Sequence, residues 1–285
     1  MCWLSSARRA SGRCSRRSHP RPNRLRCVLG LGAKNAAIVP TTRISISRGV
    51  GVRARAFSYN GQRCTAIKIV FVQRARAEAF VAKIAEQVET LRVGMPWEDG
   101  VRITPLPEEG KPAWLASLVA EPVAGGARVV NRGGGTIDET LFYPAIVYPA
   151  TAAMEISKVE QFGPVLPIVP FDHPSEVLDW MTASSVGQQC ALFGTNPRDI
   201  APLVDQLVNQ VCRVNLNSQC QRGPDTFPFG GRKDSAEGTL SVSDALRVFS
   251  IRSLVAAKMT AGNQAVLKDV VTGRMSGFLS TDFIF

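Results

Sequence analysis

The run Phe57-Ser58-Tyr59-Asn60-Gly61-Gln62-Arg63-Cys64-Thr65-Ala66 leads directly into Ile67-Lys68-Ile69-Val70-Phe71-Val72. The second stretch is apolar and rich in β-branched residues, which predicts a buried strand over Ile67–Val72. The first is polar and contains a glycine, which predicts a loop. A lone free cysteine is more often a core filler. A cysteine in a polar loop next to Arg63 is instead a candidate nucleophile, because exposed amides and a nearby cation favour the reactive thiolate.

Outward from this loop the chain alternates strand and helix. Glu78–Val93 carries Phe80, Val81, Ile84, Val88 and Leu91 at helical spacing, with Gly94 as a stop. A second helix is expected over Lys111–Val123, with Pro112 in its first turn and Leu115, Leu118 and Val119 on its apolar face. Leu166–Phe171 is an apolar strand interrupted by prolines, Ser175–Ser184 a helix, and Cys190–Phe193 a short strand. Asn196 caps a helix opened by Pro197, with Ile200, Leu203, Val204, Leu207 and Val211 on one face. Arg213–Leu216 is a further strand. Such alternation predicts an α/β fold, a mostly parallel sheet with helices on both faces. Gly133-Gly134-Gly135 lacks the strand-to-helix setting of a phosphate loop and is expected to be a hairpin or surface turn.

Composition bounds the chemistry. The chain has 285 residues, enough for a sizeable core, and no apolar stretch approaches the roughly 20 residues of a membrane-spanning helix. Seven cysteines contain no C-x-x-C pair, and His19 and His173 are the two histidines. This argues against a metal centre and against a histidine-based triad. The absence of a disulfide framework points to a reducing compartment, with cytoplasmic localisation as the expectation.

The formal charge of +11 is unevenly placed. No acidic residue precedes Glu78, and residues 1–77 hold 17 Lys and Arg, leaving 17 basic against 23 acidic residues downstream. Residues 1–27, rich in Arg and Ser, have the composition of an organelle-targeting peptide, which would imply import. They lack the interleaved aromatics of a specific RNA-binding segment, and a disordered tail is the plain alternative. Neither membrane nor nucleic acid is expected as a partner.

The loop Phe57-x-x-x-Gly61-Gln62-x-Cys64 resembles the nucleophile signature of the aldehyde dehydrogenase superfamily. Ser58-Tyr-Asn-Gly-Gln-Arg-Cys-Thr-Ala66 is most similar to its NADP-dependent, non-phosphorylating glyceraldehyde-3-phosphate dehydrogenase branch. Three later segments match in order. Glu160-Gln-Phe-Gly-Pro-Val-Leu-Pro167 resembles E-x-F-G-P, though a Pro/Gly turn before a strand would look the same. Asn217 to Gly230 resembles the segment after the last sheet strand, and Lys233-Asp-Ser-Ala-Glu-Gly238 resembles K-x-S-G-x-G with Ala236 in place of glycine. The resemblance covers roughly Leu31 to Lys258, and the cysteine loop is its most specific part.

It implies an aldehyde dehydrogenase-like catalytic domain whose Cys64 forms a thioester while NADP takes the hydride, oxidising glyceraldehyde 3-phosphate to 3-phosphoglycerate. Arg63 and Arg222 match positions that bind the substrate phosphate, where guanidinium forks suit a dianion. Taken singly, each would be read as a solvated surface charge. Glu160 and Phe162 match contacts to the nicotinamide riboside. A homo-oligomer is the family's expected assembly, and no metal is implied.

Two departures accompany the match. The family's general-base glutamate lies 34 positions before the nucleophile, and Gly30 in Leu29-Gly-Leu-Gly-Ala-Lys34 occupies that place. Glycine cannot accept a proton, so thioester hydrolysis would lack its base. The family's cofactor domain lies almost wholly upstream of this point and has no counterpart in residues 1–28, so that domain is expected to be largely absent and NADP binding weak. Thr41-Thr-Arg-Ile-Ser-Ile-Ser47 stands where the family has an acidic run like Asp-Ala-Asp-Leu-Asp-Leu. Codons for the former, read from the third base, can spell the latter, which suggests a frame-shifted reading of residues 40–53. The expected organisation is a basic lead over 1–28, disordered or an artefact of the gene model, a catalytic-domain portion over 29–258, and a C-terminal extension over 259–285. A non-catalytic subunit or pseudoenzyme of the same family is the second functional reading, and a basic-arm nucleic-acid-binding protein the third.

Overall fold

The computed structural model describes residues 2–6, 17–40, 56–251 and 253–279. The segment 41–55, which holds most of the expected frame-shifted stretch, lies outside the described residues, as do residues 7–16 of the basic lead. The chain divides into a unit spanning Met1–Val248 and a second spanning Phe249–Phe285.

In chain order the strands of the first unit begin with β1 (Cys2–Ser6), β2 (Arg26–Gly30), β3 (Ala36–Val39), β4 (Ile69–Gln73) and β5 (Arg128–Val129). There follow β6 (Ile137–Asp138), β7 (Leu141–Phe142), β8 (Ala145–Tyr148), β9 (Val165–Phe171) and β10 (Val186–Gly187). The last are β11 (Gln189–Leu192), β12 (Arg213–Leu216), β13 (Arg232–Lys233) and β14 (Ala236–Glu237). The helices are α1 (Arg74–Glu89), α2 (Lys111–Ala124), α3 (Glu155–Lys158), α4 (Pro174–Ala183), α5 (Pro197–Leu207) and α6 (Val242–Val248), with α7 (Ala261–Thr272) in the second unit.

A seven-stranded sheet in the order β12-β11-β3-β4-β9-β8-β5 forms the centre. All its neighbours run parallel except β5, which pairs antiparallel with β8. Parallel strands need covered faces, and the side chains supply them by strict alternation. Ala37, Val39, Val70 and Val72 point to one face, where α1 brings Ala77, Val81, Ile84 and Val88. Ala36, Ile38, Ile69 and Phe71 point to the other, where α4 brings Val177 and Trp180 and α5 brings Leu203 and Leu207. The Phe71 and Trp180 rings meet at 5.0 Å and 57°, a tilted pair. Beside them α2 lays Leu115 and Val119 over Ala145 and Val147.

Local signals account for several boundaries. Asn196 accepts a hydrogen bond from the Arg198 amide at 3.1 Å and Pro197 opens α5, as the sequence predicts. Glu176 Oε1 accepts from the backbone amides of Asp172 and His173 at the start of α4. The first helix differs from expectation, running over Arg74–Glu89 rather than 78–93. Ala77 already belongs to its buried face, and Arg92 and Gly94 pair instead with Arg102 and Ile103 in a loop-to-loop bridge. The glycine triplet is a turn in which Gly133 and Gly135 take φ of +67° and +83°, followed by the β6–β7 hairpin.

A separate three-stranded sheet places β2 between β1, parallel, and β14, antiparallel, with Ser6 and Ala236 in register with Gly30. The β13 strand pairs with β10, so the Lys233–Gly238 segment bridges between the two small sheets. In the second unit Thr260 caps α7 by accepting from the Asn263 amide, and Leu254, Met259, Val266 and Met275 are exposed.

Candidate active site

The cysteine loop owes its shape to glycine. Tyr59, Asn60 and Gly61 have φ of 52°, 57° and 68°, the left-handed region that favours glycine. A Cβ on Gly61 would lie 2.6 Å from the Gly163 carbonyl oxygen and 2.9 Å from that of Ala56. Only a residue without a side chain fits between those carbonyls. Asn60 fastens the back of the loop: its Nδ2 donates to the Thr104 carbonyl at 3.1 Å, and its Oδ1 accepts from the Thr104 amide at 3.0 Å.

At Cys64 itself, Asn35 just ahead of β3 reaches across. Its Nδ2 donates to the Cys64 carbonyl at 2.7 Å and to that of Ala66 at 3.2 Å, while its Oδ1 accepts from the Gln189 amide at 3.1 Å. These bonds hold Cys64 in place while leaving its side chain exposed. Among the described cysteines, Cys27, Cys190 and Cys220 are buried and Cys212 is exposed. Burial pushes the Cys190 thiol well up, and lifts Cys220 to about 12.

Beneath the loop sits a buried ionic group. Lys68 is 1% exposed, and its Nζ donates to the Arg63 carbonyl, forms an ion pair with Glu160 Oε1 at 3.2 Å and lies 5.5 Å from the centre of the Phe162 ring. The other Glu160 oxygen, Oε2, accepts from the Ala33 amide at 3.1 Å. Lys34, 4% exposed, donates to the Ile156 carbonyl at 2.7 Å and to Gln161 Oε1 at 2.6 Å. Gln161 in turn donates to the carbonyls of Lys68 and Val165, each at 2.7 Å. Burial lowers both lysines below the usual range; each ammonium is favoured by Glu160, and that of Lys34 is further opposed by Lys68.

One cavity of about 1000 Å³ gathers these groups. Gly30, Arg63, Cys64, Glu160, Phe162 and Arg222 all line it. Arg63 lies 5.2 Å from the centre of the Tyr59 ring and Arg222 5.6 Å from that of Phe229, contacts that orient each guanidinium. Glu108, Lys111 and Trp114, which the sequence reading passed over, line the same cavity, with the Lys111 ammonium 4.0 Å from the centre of the Trp114 ring. Asn35, Lys34, Lys68 and Gln161 were passed over too. A signal existed for Lys68: it interrupts the run Ala66-Ile67-Lys68-Ile69-Val70, and a lysine in a buried strand requires a partner.

An exposed thiol that lines a cavity with two arginines and a carboxylate suits covalent addition to a carbonyl carried by an anionic molecule. The model of the aldehyde dehydrogenase family matches residues 15–255. The chain belongs to the aldehyde dehydrogenase family. It is similar to the NADP-dependent glyceraldehyde-3-phosphate dehydrogenase of Streptococcus equinus, 33% identical over 236 residues, covering 82% of this chain and 47% of that protein. It is likewise similar to the enzyme of the same name from Nicotiana plumbaginifolia, 33% identical over 77% of this chain and 43% of the other. Among solved structures it superposes on NADP-dependent glyceraldehyde-3-phosphate dehydrogenase from Bacillus halodurans C-125 complexed with NADP, with a TM-score of 0.83 and 31% identity. That match covers 91% of this chain and 53% of the other. The chain thus spans about half the length of the aldehyde dehydrogenase relatives it matches, and its fold is the α/β arrangement with a mostly parallel sheet that the sequence predicts.

Proposed function

We propose that this chain carries the nucleophile and substrate pocket for oxidation of a phosphorylated aldehyde, glyceraldehyde 3-phosphate, by way of a Cys64 thioester with NADP as the oxidant. The observation that carries the reading is the convergence of Cys64, Arg63 and Arg222 with Glu160 and Phe162 on one cavity. Cys64 adds through sulfur to the aldehyde carbon, and its own backbone amide would donate to the developing oxyanion. Arg63 and Arg222 take the phosphate as charge-assisted forks. Glu160 and Phe162 fit the nicotinamide end of a dinucleotide, offering a carboxylate acceptor and an aromatic face beside the thiol. A dinucleotide held there would supply the acceptor for the hydride lost from the Cys64-bound carbon.

Hydrolysis of the thioester needs a proton acceptor for the attacking water, and Gly30 offers none. This favours a second, narrower reading, in which the chain captures the aldehyde without turning it over.

Both readings require that the phosphorylated aldehyde reach Cys64. Glyceraldehyde 3-phosphate is therefore expected to protect Cys64 from iodoacetamide, with peptide-level mass spectrometry as the readout. Glyceraldehyde lacking the phosphate should protect less, and Arg222→Ala should erase that difference. Equal protection by the two aldehydes, or none by either, would remove the phosphate-pocket assignment. NADPH release from this chain, absent in Cys64→Ser, distinguishes the oxidising reading from the capturing one.

A further inference from the structure

We infer that Lys68 is a positioning residue of the thiol site, a single buried ammonium that ties the Cys64 loop to the Glu160–Phe162 segment and places positive charge beneath the loop that carries the thiol. The inference deepens the reading of Cys64 as the nucleophile. Its test reads thiol alkylation and uses no aldehyde, so either can fail while the other stands.

Three contacts carry it. The ammonium holds the Arg63 carbonyl, which belongs to the peptide immediately before Cys64. It pairs with Glu160 at 3.2 Å and stands over the Phe162 ring at 5.5 Å. A lysine buried only to complete a strand could satisfy itself on any carbonyl and any acid. Here the partners are the two site segments, which are about a hundred residues apart in sequence and meet at this one charge. At 1% exposure Lys68 is itself shielded from solvent screening, unlike the exposed Arg63. Burial opposes the Lys68 ammonium, while Glu160 and a thiolate at Cys64 or Cys220 favour it; Lys68 in turn opposes the ammonium of Lys34. Around the thiol the other charged groups of the cavity are Arg63, Arg222, Lys111, Glu108 and Glu160.

A tether that is also a charge leaves a signature in sign. Iodoacetamide rates at Cys64 would be measured in the 285-residue chain, with exposed Cys212 as the internal reference. In Lys68→Met, Cys64 should react about fivefold to tenfold more slowly near pH 7.5, since the charge that favours the thiolate is gone. In Glu160→Gln it should react severalfold faster, because the opposing carboxylate is gone while Lys68 remains. Near pH 10.5, where a thiol of ordinary pKa about 8.5 is ionised, the two variants should converge towards the parent rate. Rates that change in the same direction in both variants, or a ratio that stays constant with pH, would mean a loosened loop and would overturn the inference. If Lys68→Met does not fold, Glu160→Gln decides alone: a faster Cys64 supports the assignment, and an unchanged or slower one refutes it.

Discussion

The two walls of the cavity are built differently. The Cys64 wall is held by side chains from distant segments: Asn35 on two carbonyls of the loop, Lys68 on a third, and Asn60 on Thr104. The Gly30 wall is a strand end, fixed by main-chain pairing to β1 and β14, and position 30 itself offers no side chain, only the neighbouring Leu31 lining the cavity beside it. Holding a nucleophile in a strained loop takes a network of buried polar groups, each satisfied by another. A general base is one carboxylate, and its absence leaves the surrounding backbone intact. On the proposed reading, the first wall carries the nucleophile and the second offers no proton acceptor at position 30.

The largest blow to this contrast should come from Gly61→Ala. Its Cβ would meet two backbone carbonyls, which cannot swing aside as a side chain can, and φ is +68°. A loss of about 3 kcal/mol or more is expected, with Cys64 no longer distinguished from Cys212 in alkylation rate. Urea unfolding that matches the parent would show that the loop is not under this constraint.

Gly30→Glu sharpens the other wall. Acylating Cys64 with a p-nitrophenyl ester separates thioester formation from its hydrolysis without any cofactor. The parent chain should acylate and stall, whereas the variant should deacylate on the order of a hundredfold faster, the low end of what a positioned base contributes. Equal deacylation rates would mean that position 30 does not reach the thioester.

Asn35→Leu removes the bracket on Cys64 while keeping similar volume. It leaves the Gln189 amide and the two loop carbonyls without a partner in a buried setting. A cost of about 2 kcal/mol by chemical denaturation is expected. A neutral result would place the loop's rigidity in Lys68 and Gly61 alone.

The smallest effect concerns pH. The Cys220 thiol rises to about 12 in the folded chain, while an unfolded thiol titrates near 8.5. Between those values the folded state keeps a proton that the unfolded state has lost, so stability falls as pH rises, by up to about 1.4 kcal/mol per pH unit. Cys220→Ala should therefore lose less stability than the parent between pH 9 and pH 10.5 in urea titrations. The lowered lysines push the other way; Lys34 does so in both proteins, whereas Lys68, which a Cys220 thiolate favours, does so more strongly in the variant. Parallel curves would refute the burial-driven shift.

Much of this architecture was legible because its signals are local. The β12 strand, the Asn196-Pro197 start of α5 and the turn at Gly133–Gly135 follow from spacing, capping and backbone freedom. The cysteine loop, the Glu160-Gln-Phe162 segment and Arg222 were readable as motifs, and the structure places them on one cavity. What the sequence hid is what the fold brings together from afar. Asn35 looks like a polar residue at a strand entrance until Cys64 and Gln189 are folded against it. Lys34 looks like an ordinary surface charge, yet it is buried, and the apolar run around Lys68 signals burial without naming its partners. The four-residue shift of α1 has the same origin, because Arg92 and Gly94 find partners near Ile103 that no helical periodicity reveals.

The close packing of Gly61 against the Gly163 carbonyl has a consequence for the order of events in folding. A Cβ on Gly163 would itself lie 2.6 Å from Leu115 Cδ1, so the loop, the segment ahead of β9 and helix α2 are stacked with no slack. The thiol cannot acquire its final setting until a stretch of chain roughly a hundred residues later has docked against it, a long-range closure that comes late. The site should then have no private opening motion. In native-state hydrogen exchange the Asn60–Ala66 amides would be released together with those of β4 and β9, so that exposure of the nucleophile's backbone and melting of the central sheet are one event.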